Sequence, residues 1–214
     1  MIALLFALQA QAVETSSIQT LQRKEFMKMG RYELSPRVGF VANDPFINRY
    51  LFGAGLTYHV TEVLGIEASG TASPDLGEAD WKPVTHQLIE HNSVVPDISR
   101  ILAYGEFSIQ FSPFYGKFAI REKIIGFDLF LNVGTGAVLT HDDLIGLDET
   151  PAAQATQSQV HPTLNIGGGA RVILSDALAI RMEGRSLSYI EVLQGNQLEM
   201  KNNMTLLTGA SLFF

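Results

Sequence analysis

From Arg31 to Phe214 the chain alternates apolar and polar residues with a period of two, which predicts β-strands that show one face to an apolar medium. Over 31–43 the apolar positions are Tyr32, Leu34, Pro36, Val38, Phe40 and Ala42, opposed by Glu33, Ser35, Arg37, Gly39, Val41 and Asn43. Over 50–59, Tyr50, Phe52, Ala54, Leu56 and Tyr58 oppose Gly53, Gly55, Thr57 and His59. The pattern recurs over 64–73, 101–111, 125–137, 161–174, 178–189 and 203–214. In 178–189, Leu178, Ile180 and Met182 oppose Arg181, Glu183 and Arg185, and the phase is expected to slip near Ser186. This gives about eight strands, each near the 9–11 residues that a tilted membrane strand needs.

The connections differ in length by parity. Segments 60–63 and 175–177 read as tight turns and 112–123 as a compact excursion, whereas 74–100, 140–160 and 190–202 are long and only 44–49 is short. Antiparallel strands joined in order place alternate connections at the same end, and short periplasmic turns opposite longer outer loops are the habit of outer-membrane barrels. The expected fold is therefore all-β: a closed antiparallel up-and-down transmembrane barrel over 31–214. Ahead of it, the apolar run 1–8 followed by Gln9-Ala10-Gln11-Ala12 reads as a signal peptide over 1–12. Residues 13–30 read as a periplasmic N-terminal segment. Within the loop 74–100, Val84 and Leu88 fall at helical spacing after Pro83, a residue suited to a first helical turn.

Period alone does not say which face points inward, because a soluble lipocalin-like barrel has the same alternation. The polar face helps. It carries Glu33, Arg37, Glu67, Glu106, Asp128, Arg171, Arg181, Glu183 and Arg185, set among Gly, Ser, Thr and Asn. A solvated face would hold more Lys. Five carboxylates against four arginines instead suit a narrow lumen, where an unpaired charge would cost several kcal/mol. Tyr32, Tyr50, Tyr58, Phe111, Phe114, Tyr115 and Phe127 stand near strand ends, where interfacial girdles form. Leu212 and Phe214, an aromatic last residue with apolar residues at alternate positions before it, resemble the signal read by the outer-membrane barrel-assembly machinery.

Composition narrows the function. Charged residues are 17% of the chain, against about a quarter in soluble domains. With 15 Lys+Arg against 22 Asp+Glu and a net charge of −7, a nucleic-acid partner is not expected. No Cys is present, which excludes disulfides and thiolate sites. The histidines are His59, His86, His91, His141 and His161. His141 and His161 should share the outer rim with Asp142 and Asp143, and with Asp148 and Glu149 they read as solvated loop residues rather than a metal site. Ser73 with His86 or His141 and Asp75 or Asp142 would supply catalytic atoms, but no motif binds them together and G-x-S-x-G is absent. Gly167-Gly168-Gly169 lies in a strand pattern without a following helix, so it is no phosphate loop. The expectation is a non-enzymatic barrel with no cofactor and no metal, in contact with outer-membrane lipids, the assembly machinery, and envelope proteins through loops 74–100 and 140–160. A small gated pore and a soluble periplasmic ligand-binding barrel are the alternatives.

Several short motifs carry a further indication. Gln22-Arg23-Lys24, Arg31-Tyr32-Glu33-Leu34-Ser35-Pro36, Asn43-Asp44-Pro45-Phe46, Tyr58-His59-Val60-Thr61-Glu62, Pro113-Phe114-Tyr115-Gly116-Lys117 and Phe127-Asp128-Leu129 occur in order. In these the chain, from about Leu21 to Phe214, resembles the myxobacterial-type outer-membrane β-barrel domain family, small barrels of the OmpA/OmpX kind. The resemblance implies an outer-membrane barrel without enzymatic activity, some of whose relatives belong to gliding-motility envelope complexes.

Overall fold

The alternation closes on itself. β1 (Tyr32–Val41), β2 (Tyr50–His59), β3 (Leu64–Ala72), β4 (Ser99–Ile120), β5 (Lys123–Asp142), β6 (Gln157–Ile173), β7 (Leu178–Leu193) and β8 (Gln197–Phe213) pair in sequence order, and β8 returns to β1. Every pairing is antiparallel. This computed structural model describes residues 26–92, 99–120, 123–142, 157–193 and 197–214. The expected signal peptide, Gln22-Arg23-Lys24, Asp143, Asp148 and Glu149 lie outside the described residues. Following partners from Tyr32 through Tyr58, Ile66, Ile109, Val133, Ile166, Ser186 and Met204 leads back to β1 at Ala42, ten residues along the strand. That stagger fixes the strand tilt, and eight strands leave an interior that side chains just fill.

The two faces sort as a membrane barrel requires. Leu34, Val38, Phe52, Ile66, Ile109, Leu131, Val133, Ile166 and Met182 are exposed on the outer wall, while the charged residues of the same strands are buried. A soluble ligand-binding barrel needs the reverse. In lipid, closure also removes the free sheet edges whose N–H and C=O groups would otherwise go unpaired. At the end where β1 begins and β8 finishes, Tyr32 lies 5.0 Å from Tyr58 and 6.0 Å from Phe214, ring centre to ring centre. The backbone closes tightly at inward glycines. A Cβ on Gly39 would collide with the Leu206 carbonyl and one on Gly136 with that of Gly105, so these sites let the sheet bend.

Four expectations are corrected. First, β4 to β8 run 16–22 residues and exceed a membrane span. Second, 112–123 is no compact excursion: β4 and β5 continue as a two-stranded ribbon past the end of β3, where Leu64 pairs with Phe111. A register shift between Phe111 and Phe114 reverses the facing there, so Phe114 points outward and Tyr115 packs under the lumen instead of joining the girdle. Third, 190–202 is mostly strand, paired as far as Leu193 with Gln197. Fourth, β7 does not slip at Ser186. Its register with β8 is unbroken from Leu178 to Leu193, and Leu187 and Tyr189 stay inward. What changes there is the polarity of the inner face.

Residues 74–92 fold back on the barrel rim. They contain a 3₁₀ turn (Gly77–Asp80) and α1 (Pro83–Asn92), with Pro83 in the first turn, where its missing N–H costs nothing. Lys82 N donates to Phe46 O at 2.9 Å, Thr85 Oγ1 to Phe46 O at 2.5 Å and Asn48 N to Asp80 O at 2.7 Å. These bonds tie α1 to the β1–β2 connection.

Candidate functional site: the sealed lumen

Strand β7 reads the lumen in order. Ala179 packs in an apolar floor, Arg181, Glu183 and Arg185 form a charged middle, and Leu187 and Tyr189 belong to an apolar roof. All nine charged residues singled out from the sequence lie in the interior, each no more than 5% exposed. Arg181 bonds Glu67 at 2.7 Å, Glu183 at 2.6 Å and Glu33 at 3.3 Å. Arg185 bonds Glu106 at 2.7 Å and Glu183 at 3.2 Å, and also pairs with Glu67. Arg37 joins Glu67 at 3.1 Å and pairs with Glu183. Arg171 holds Glu33 at 2.5 Å and Asp128 at 3.3 Å. Glu33 accepts further bonds from Ser211 Oγ at 2.6 Å and lies 2.8 Å from His59 Nε2. Phe130 lies under two guanidinium groups, with Arg171 Cζ at 4.8 Å and Arg181 Cζ at 4.5 Å from its ring centre, a cation–π arrangement. Removing one member would leave a buried charge uncompensated, so the network acts as one rigid filling.

Sequence reasoning left this set one cation short. The missing charge is Lys28, which is buried and pairs with Asp128. Counting Lys28, five carboxylates meet five cations. Residues 26–30 thus plug the barrel mouth, with Phe26 and Lys28 turned inward. Phe26 sits edge-on to Phe213 at 4.7 Å and packs with Ile173 and Ala179, with Tyr115 alongside. Lys28 N and Met29 N donate to Glu62 Oε1 at 3.0 and 2.9 Å, and Gly30 N donates to His59 O at 2.8 Å. Gly30 has φ +78°, a conformation that favours glycine and that turns the plug into β1. The signal was present: Phe26 and Lys28 share a parity, and Met27 and Met29, both exposed, share the other.

The roof consists of Val41, Leu51, Ile101, Tyr104, Val138, Leu187, Tyr189 and Leu207. His161 is buried and stacks on Tyr189 at 5.7 Å, so it belongs inside rather than on the solvated rim. His141 Nδ1 lies 3.1 Å from Ser158 Oγ. Among the described residues no His/Cys/Asp/Glu group is arranged to hold a metal. Of the candidate catalytic groups, Asp75 pairs with Arg100, and His86 lies edge-on to Trp81 and 3.6 Å from Glu90. At the C-terminus Leu212 and Phe214 face outward, and Phe214 exchanges main-chain bonds with Tyr32 at 2.9 and 3.0 Å.

The sequence matches no family model and no curated protein, so its motif resemblance to the myxobacterial-type family stands on those motifs alone. Solved structures share the fold. The N-terminal β-barrel domain of Pseudomonas aeruginosa OprF aligns over 87% of this chain and 98% of its own, with a TM-score of 0.51 and 11% identity. Neisserial surface protein A (NspA) aligns over 86% of this chain and 97% of its own, with a TM-score of 0.52 and 11% identity. The fold of this chain is that of the small outer-membrane β-barrels.

Proposed function

We propose that the protein is a non-enzymatic barrel of the Gram-negative outer membrane that works as a scaffold, holding its outer loops and its periplasmic ribbon against other envelope components. The observation that carries this reading is the filling of the lumen. An apolar roof, an ion-paired middle and an N-terminal plug occupy it in succession, which leaves the ends of the barrel as its working surfaces. Outside, α1 exposes Val84 beside the rim. On the periplasmic side, Phe114 and Phe118 stand on a ribbon that extends beyond the wall. The motif resemblance extends the reading to an envelope complex of the gliding-motility kind, with loops 74–100 and 140–160 as contact regions.

The test is a photo-crosslinker placed in living cells at Val84, at Phe118 and, as a lipid-facing control, at Leu131. Envelope proteins captured from the first two sites but not the third, and lost from the first when 83–92 is replaced by a flexible linker while the heat-dependent gel shift of the folded barrel persists, support the scaffold. Identical capture at all three sites overturns it.

A further inference from the structure

The outward wall is not uniform. Across β6, β7, β8, β1 and β2 it carries an open groove of about 760 Å³. Two register rows bound this groove. One runs Gly168–Gly184–Leu206–Phe40–Tyr50 and the other Met182–Thr208–Val38–Phe52. Glu183 and Leu207 also line it, yet their side chains are buried in the lumen, so the floor there is main chain. The groove starts at the paired glycines, which leave that floor bare. It then runs between Phe40 and Tyr50 on one bank and Val38 and Phe52 on the other, all about half exposed. Thr208 turns its hydroxyl back to the wall, donating to Arg181 O at 3.3 Å, which leaves its methyl group for the groove. The rows climb around the barrel in the same sense as the circuit from Tyr32 to Ala42. The groove therefore rises from Gly168 to Tyr50, beside the β1–β2 connection that holds α1.

We infer that this groove is a binding site for one acyl chain of an outer-leaflet lipid, held there as a resident ligand with its headgroup at the α1 rim. Chemistry and shape choose the occupant. The groove is continuous with the wall that faces hydrocarbon, and its banks are apolar. A flat wall touches a lipid chain on one side only. A groove touches it on three, and the added dispersion contacts hold that chain longer than its neighbours. A second barrel fits poorly, because two convex walls meet along a line and leave the groove unfilled. Polarity sets the direction of the chain. The Tyr50 ring stands at the high end with a hydroxyl suited to the headgroup level, whereas the low end at Gly168 and Gly184 offers no polar side chain. The site lies on the wall, so it does not depend on the scaffold role of the barrel ends.

The test uses the full chain in phosphatidylcholine vesicles with a trace of phosphatidylcholine that carries a photoactivatable diazirine in one acyl chain. Peptide mass spectrometry after illumination reads where the label lands. The groove residues should be labelled several-fold more than the rest of the wall. A diazirine near the chain end should mark Met182, and one near the carbonyl should mark Phe40 and Tyr50. Even labelling around the wall overturns the inference, as does the reverse order, which would put the headgroup at the other rim. So would crosslinks between two barrels through the groove residues, which would make it a contact between copies. Gly184→Leu should fill the low end, because a Cβ there meets Leu206 Cδ2 at 3.3 Å and Thr205 O only at 3.9 Å. With the heat-dependent gel shift retained, its groove label should fall to the level of the remaining wall. Ala68→Leu adds bulk to the wall outside the groove and should leave the label unchanged. Groove label that survives Gly184→Leu in a folded barrel also defeats the inference, and the wild-type label order decides where that variant does not fold.

Discussion

Replacing Lys28 by Met keeps most of the aliphatic stem and removes the charge that completes the lumen. In the wild-type barrel the Lys28 ammonium pairs with Asp128, and both groups are almost fully shielded from water. Breaking a buried pair from one side usually costs about 3–5 kcal/mol, because the surviving charge loses its partner in a poorly solvated place. Here Asp128 retains Arg171 Nε at 3.3 Å, so the expected loss is smaller, about 2–3 kcal/mol. With urea dependence of about 1–3 kcal/mol per molar, the unfolding midpoint in detergent should move by roughly 1 M, read by circular dichroism. Adding Asp128→Asn should return part of the loss, since the stranded charge is then gone, and the two substitutions should be clearly non-additive. Met29→Ala, on the exposed parity of the same segment, should be nearly silent. If Lys28→Met is as silent as Met29→Ala, or if Asp128→Asn deepens its effect, the segment is not a plug and the charge balance is accidental.

The outer wall gives a second expectation: Leu129→Arg or Ile166→Arg should each cost about 2–4 kcal/mol if near the bilayer midplane, and unchanged stability in vesicles would remove that face from lipid. Deleting Phe214 takes away both an outward aromatic and its main-chain bonds to Tyr32, so outer-membrane yield should fall while refolding in detergent persists; equal yield would count against a terminal assembly signal. The wild-type barrel should show no discrete conductance in planar bilayers, and steady unitary currents that change with Glu106→Gln would instead establish a pore.

Strand number, closure and the inward direction of the charges were legible because each leaves a local trace. A period of two forces a face, and mixed Arg and Glu among small residues fit only a place where charges can find one another. Tyr32 and Glu33 already divide the wall from the lumen. Parity is harder to follow where chemistry changes without a change of backbone. At Ser186 the inner face of β7 turns from Arg185 to Leu187, which reads as a slip in sequence although the ladder continues. The opposite happens at Phe111–Phe114. There the backbone does shift, and Tyr115 moves inward from a position that spacing assigns to the girdle.

Lys28 was missed for a different reason. A mostly polar stretch looks solvated, and the short alternation of Phe26-Met27-Lys28-Met29 does not by itself say that a barrel mouth will enclose it. The arithmetic of the strands did hold the clue. Five carboxylates and four arginines shielded from solvent leave one negative charge, and that charge has to be neutralised, protonated or matched from outside the sheet. The nearest chain outside the sheet is the segment entering β1, whose Lys28 reaches Asp128 while Phe26 fills the apolar floor. A charge deficit inside a closed barrel therefore argues for a plug wherever a neighbouring segment carries one correctly spaced cation beside an aromatic residue.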